Sequence, residues 1–175
     1  MAKEIELRRH TDNHGDVLTA DGVAKAVEIG TGLRGGYRLA AASPAARAVQ
    51  TVACLLAGLG ETVPDGVFVE PGLRSSREDH WRAAYSKAGS GDLDSLRGAD
   101  PDLVRDDSAA LADGLRSIFD RLDDGDRALA VGHSPTSEAA VYGLTGEVID
   151  PLGKGEGVIV AETGGGYSLV IRLEA

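Results

Sequence analysis

The chain has one cysteine, no long apolar run and no surplus of positive charge. A lone thiol cannot close an internal disulfide, and Cys54 falls within an apolar helical pattern, so it reads as a small core residue rather than a reactive thiol. No stretch approaches the roughly 20 apolar residues of a membrane span, and Met1-Ala2-Lys3-Glu4 lacks the apolar centre of a signal peptide. These features suggest a soluble, cytoplasmic protein. The formal net charge of −10 makes the surface repel polyanions, which argues against nucleic acid or an anionic membrane as the main partner. An anionic small substrate would need a local basic pocket. Internal repeats, linkers and low-complexity tracts are also missing, so 175 residues read as one domain spanning 1–175.

What is present begins with Ile5-Glu6-Leu7-Arg8-Arg9-His10, an alternation that delivers Arg9 and His10 where a first strand gives out. A helix of about three turns follows from Thr19, a plausible N-cap, to Gly30 or Gly32. Gly30-Thr31-Gly32-Leu33-Arg34-Gly35 matches the dinucleotide G-x-G-x-x-G pattern in letters. It follows a helix instead of a strand, so it reads as a helix stop and turn. Tyr37 to Ala42 is the next strand, after which Ser43 reads as an N-cap and Pro44 as the first helical residue. That places Arg47 in the first turns of a helix whose Val49, Val52, Ala53 and Leu56 should face the sheet.

A third strand is expected around Val67–Val69. Residues 71–105 read as a polar helical excursion over the site, anchored by Trp81 and Tyr85. Helical periodicity returns from Ser108 to Leu122. A buried strand, Arg127 to Val131, then presents His133 before Ser134 and Pro135, which again read as cap and first helical residue. Gly157 to Glu162 and Tyr167 to Leu173 close the chain as a hairpin through Gly164-Gly165-Gly166. The expected fold class is α/β, a three-layer sandwich with a mostly parallel central sheet, helices on both faces and that C-terminal hairpin.

Three strand-to-helix junctions thus carry Arg9-His10, Arg47 and His133. A neutral imidazole can attack phosphorus and carry the phosphoryl group, while arginine's planar fork suits its equatorial oxygens. His10 is the expected nucleophile, Arg9 and Arg47 the phosphate clamps, and His133 a donor to the charge that develops. No metal or cofactor is needed if these groups neutralise the phosphate. Two rivals compete. Gly132-His133-Ser134-Pro135-Thr136 is a near miss to the G-x-S-x-G of serine hydrolases, but no histidine follows His133 to serve such a serine. His10, Asp12, His14 and Asp16 are dense enough to suggest a metal loop.

These motifs resemble those of the histidine phosphatase superfamily, the phosphoglycerate mutase-like proteins. Its L-[VI]-R-H-G corresponds to Leu7-Arg8-Arg9-His10-Thr11, its L-T-x-x-G to Leu18–Gly22, its S-P-x-x-R-A-x-Q-T to Ser43–Thr51, and its V-x-H to Val131-Gly132-His133. The compact size is most similar to the SixA-type phosphohistidine phosphatases. The resemblance implies a phosphatase acting on a small phosphorylated metabolite or a phosphoprotein through a phosphohistidine, with a phosphate-binding module of weakened catalysis as the alternative. Thr11, Asn13 and Ser134 are expected to touch the substrate. Thr11 replaces the family's glycine, where it could crowd the phosphate or add a donor. The family's L-R-E glutamate is also missing, since Leu73-Arg74 is followed by Ser75. The general acid is therefore left open: Glu78 is the first candidate, Asp79 and Glu70 are the other nearby carboxylates, and the chain need not have one.

Overall fold

The computed structural model describes residues 1–175. Its central sheet has six strands: β1 (Lys3–Arg9), β4 (Leu39–Ala42), β5 (Val67–Val69), β6 (Arg127–Gly132), β7 (Gly157–Thr163) and β8 (Gly166–Leu173), in the order β5-β4-β6-β1-β7-β8. The first four are parallel, and β7 and β8 add an antiparallel edge. A small hairpin, β2 (Asn13–His14) with β3 (Val17–Leu18), lies outside the sheet.

Helices cover both faces. On one, α1 (Ala20–Thr31) and α2 (Ala46–Leu59) pack against each other over Ala40, Ala42, Leu129 and Val131. On the other, α5 (Pro101–Phe119) and α6 (Thr136–Thr145), with α3 (Glu78–Ala88) and α4 (Leu93–Ala99), enclose the larger core around Ile5, Leu7, Ala41, Ala128, Ala130 and Phe119. The period of two along each strand thus feeds two separate cores, as a sheet sandwiched between helices requires.

The alternation read in β1 is real, but its polar side is buried as well. Arg8 Nε donates to Glu6 Oε1 at 2.7 Å, Tyr37 donates its hydroxyl to Glu6 Oε2 at 2.5 Å, and the Arg8 guanidinium reaches the Gly155 carbonyl at 2.8 Å. Each buried charge is paired and hydrogen-bonded, which is what makes its burial tolerable.

Several sequence expectations shift. Thr19 caps α1 as expected, accepting from the Gly22 N–H at 3.0 Å. Ser43 and Ser134, however, are not the N-caps: α2 starts at Ala46 and α6 at Thr136, and Ser43 accepts only from the Ala45 N–H at 3.3 Å before the helix while both hydroxyls meet other side chains. The buried face of α2 is Ala48, Thr51, Val52 and Leu55, about one position round from the one expected, leaving Val49 and Ala53 exposed and Cys54 part-buried. α5 begins at Pro101, seven residues before Ser108, because Asp100 accepts from the Leu103 N–H at 3.0 Å and Pro101 suits a first turn. The run of aspartates there hid Leu103 and Val104, which are fully buried. In the excursion, Trp81 is buried as an anchor, while Tyr85 is 54% exposed.

Gly30 explains its own motif. An added Cβ would stand 2.3 Å from the Leu55 carbonyl oxygen of α2, so the glycine permits close helix packing and cradles no phosphate. Gly30→Ala should lower unfolding stability by about 1–3 kcal/mol despite alanine's better helix propensity, because rigid backbone must move apart. Urea unfolding with a lower midpoint and unchanged slope would show it; an unchanged midpoint would refute the packing role.

Candidate active site

Three parallel strands end level. Arg9 is in register with Gly132, and Ala42 with Val131. Beyond them, the His10 N–H donates to the Gly132 carbonyl at 3.1 Å and the Ser43 N–H to the Val131 carbonyl at 3.1 Å. His10, Ser43 and His133 therefore leave the sheet side by side, at the carboxyl edge where ligands sit in open α/β sheets. Both histidines are buried, with ring centroids 5.3 Å apart and an edge-to-face inclination of 61°.

Their hydrogen-bond partners assign the tautomers. His10 Nδ1 lies 2.8 Å from the Thr11 carbonyl, which can only accept, so Nδ1 carries the proton and Nε2 keeps its lone pair. His133 Nδ1 lies 3.2 Å from an Arg47 guanidinium nitrogen, which can only donate; its proton is therefore on Nε2, donated to Ser43 Oγ at 2.6 Å. Burial, reinforced by Arg47, Arg9 and Lys154 and opposed by the Thr11 carbonyl, lowers the His10 pKa to about 4. Burial, then Arg47, His10 and Arg74, lowers that of His133 to about 3 against the opposing charge of Glu78. Both rings are neutral at pH 7.

Arg47 is held from the opposite side by Asp16, at 2.8 Å. The same carboxylate accepts from the Ala46 N–H at 3.2 Å and the Arg47 N–H at 3.4 Å, capping α2 in place of a local residue. Burial opposes ionisation of Asp16, but these donors outweigh it and its pKa falls. With the helix capped from outside, the Ser43 hydroxyl is available to His133. The remaining polar residues of the Ser43–Thr51 stretch have comparable tasks. Gln50 accepts from the Leu18 N–H at 2.7 Å, and Thr51 from the Thr11 N–H at 3.2 Å.

Arg9 donates to the Leu152 carbonyl at 2.8 Å, while its Nε is buried without a partner. Burial lowers its pKa, against the pull of Glu138 and Glu156, yet a guanidinium stays charged. A cleft of about 270 Å³ opens beside His133, walled by Arg47, Glu78, Trp81, Tyr85 and Ser134. His10 is not on that wall but borders it through His133.

Glu78 is thus brought to the cleft. Its partner is Arg74, at 2.6 Å, and that bond, which outweighs burial and is aided by Arg74, His133 and Arg47, holds its pKa below the usual carboxylate range. Asp79 is exposed on Arg82, and Glu70 is spent on the Gly72 N–H and the Ser117 hydroxyl. Ser134 lines the cleft but donates to the buried Glu138 at 2.6 Å, not toward His133 as a serine nucleophile would. Thr11 neither crowds nor donates into the cleft, because its hydroxyl is turned onto the Gly22 carbonyl at 2.8 Å. Asn13 is away from the cleft wall, its amide donated to Gly15 within the β2–β3 hairpin. The suspected metal loop does not converge: Asp12 bonds Lys154, Asp16 bonds Arg47, and no three His, Cys, Asp or Glu side chains gather as a site.

Sequence reasoning missed Asp16 as an arginine clamp, Ser43 as a histidine anchor, and Arg74. Only Arg74 had a local signal, four residues before Glu78, the spacing of a helical ion pair.

No protein-family model matches the sequence, and no curated protein matches it. Solved structures do. Bacillus stearothermophilus YhfR superposes with a TM-score of 0.72 at 17% identity over 97% of this chain and 96% of that one. Phosphoglycerate mutase from Bacillus anthracis str. Sterne gives 0.67 at 19% identity, covering 97% and 92%. The protein histidine phosphatase SixA, solved with tungstate, gives 0.64 at 16% identity, covering 97% and 96%. The fold is therefore the phosphoglycerate mutase-like α/β sandwich, the one that the sequence motifs resemble.

The neutral histidines set an acid limit. An unfolded histidine titrates near ~6.5, so between there and about 4 the unfolded chain binds the more protons and stability falls with falling pH; above ~6.5 both states are neutral and the effect vanishes. The melting temperature should drop less between pH 6.5 and 4 in His10→Asn/His133→Asn than in the parent. An equal drop would mean that neither ring is held neutral.

Proposed function

We propose that this chain is a phosphohydrolase acting through a covalent phosphohistidine on His10, on a phosphomonoester or a phosphohistidine. The observation that carries this is the His10 tautomer: Nδ1–H is tied to a carbonyl, leaving an unprotonated Nε2 among arginines at neutral pH. The likeness in fold to the protein histidine phosphatase SixA supports it.

In the first step the Nε2 lone pair attacks phosphorus, and the bond to the leaving atom breaks with its electron pair going to that atom. The Thr11 carbonyl on Nδ1–H stabilises the positive charge that the ring acquires. Arg9 and Arg47 hold the equatorial oxygens, and a phosphate dianion replacing the Arg47 contact favours a proton on His133 Nδ1, turning that ring into a donor while Ser43 keeps Nε2 fixed. Water then attacks phosphorus, the P–N bond returns its pair to His10, and the water proton is released. This route needs no metal, since the arginines supply the charge that a cation would.

Glu78, held ionised on Arg74, is a poor acid for the first step. An alkoxide needs a proton as it leaves, whereas an imidazole or aryl oxide needs far less help, so the substrates favoured are phosphohistidine and aryl phosphates.

Rapid quench with labelled aryl phosphate, without acid and with EDTA present, should place the label on His10, and His10→Ala should lose turnover. Label on His14, or phosphate binding without turnover, would overturn the proposal.

Alkyl phosphomonoesters should be poor substrates. Glu78→Gln should alter phosphohistidine hydrolysis by less than about tenfold, short of the ~10²–10⁴-fold that a positioned acid contributes. A large loss confined to alkyl esters that the parent handles well would make Glu78 the acid.

A further inference from the structure

The chain has only seven aromatic residues other than histidine: two Phe, one Trp and four Tyr. Two of them, Trp81 and Tyr85, stand on the same wall of the cleft, on α3. Glu78, Trp81, Arg82 and Tyr85 occupy positions i, i+3, i+4 and i+7, so one helical face runs from the ionised carboxylate near His133 out to the tyrosine. At about 1.5 Å per residue, Tyr85 stands ~10 Å along that face from Glu78.

The two rings differ in how they are held. Trp81 is buried, with its indole N–H donated to Asp107, which also takes the Ser75 hydroxyl at 2.6 Å; this fixes α3 against α5. Tyr85 is the one aromatic side chain more than half exposed, and it is not loose, because its ring rests against Gly91, where an added Cβ would come within 3.2 Å of it. Beside it Arg82 is paired with Asp79 at 2.7 Å. α3 and the turn before it carry Arg74, Arg77, Arg82 and Lys87 against Glu78 and Asp79, a basic segment in a chain of net charge −10.

We infer that this wall, Tyr85 with the edge of Trp81 and the Arg82 guanidinium, is a subsite for the organic part of the substrate, and that the substrate class is a small phosphate carrying a planar aromatic ring. The inference rests on the phosphohydrolase reading above. A braced, exposed ring offers a stacking face at little cost in side-chain entropy, and the arginine on the same wall adds a cation to it. The basic segment draws the dianion in, and the ring is sorted at the rim.

The test compares two substrates that differ only beyond the phosphorus: 2-naphthyl phosphate, with an aromatic leaving group, and phosphoramidate, which has none. The wild type should prefer the naphthyl ester in kcat/KM. Tyr85→Ala should lower that preference about tenfold, the ~1.4 kcal/mol of one stacking contact, and Tyr85→Trp should restore it. No preference in the wild type, or an unchanged one in Tyr85→Ala, overturns the subsite. If the wild type turns over neither compound, the phosphohydrolase reading falls by itself, and calorimetry decides the subsite. 2-Naphthyl phosphate binding no tighter than inorganic phosphate would then remove it.

Discussion

The site depends on the parallel register of β4, β6 and β1, which brings three chain segments from distant parts of the sequence to one level edge. Because Ala42 is opposite Val131 and Arg9 opposite Gly132, the next residues, Ser43, His133 and His10, emerge as neighbours. A slip of one residue on any strand would turn its side chains to the other face and separate the histidines. The strands can sit this close under their helices because β4 is mostly alanine and every residue of it is buried. Packing between two cores thus sets the spacing of the polar groups at their shared end.

Charge is managed locally. The chain as a whole is acidic, yet at the sheet edge Arg9, Arg47 and Arg74 surround two imidazoles that burial and those same arginines keep neutral. Each cation is oriented by a partner from another element: Leu152 for Arg9, Asp16 for Arg47, Glu78 for Arg74. On the proposed reading, donors aimed in advance around a neutral imidazole would stabilise a transferring phosphoryl group without reorganising when it arrives. Asp16 couples this electrostatic task to folding, since one carboxylate both caps α2 and clamps its arginine.

Much of this was legible in the chain itself. The order of the six sheet strands, the strand-to-helix junctions carrying His10, Arg47 and His133, and the closing hairpin all follow from short-range periodicity and turn residues, which act within a few positions and so are written locally; the β2–β3 hairpin read only as a polar loop. The true start of α5 was hidden because charged aspartates mask its buried leucine and valine. The roles of Ser43, Asp16 and Glu78 were a different matter. Serine before proline reads as a cap in any sequence, and only the arrival of Asp16 from the β2–β3 hairpin releases Ser43 for His133. Which carboxylate faces the cleft depends on how α3 docks on α5 through Trp81 and Asp107. The sequence alone determined which chemical groups are available and on which kind of element each one stands. Tertiary structure alone decided their partners, tautomers and ionisation, because these depend on burial and on contacts made across distances no local pattern encodes.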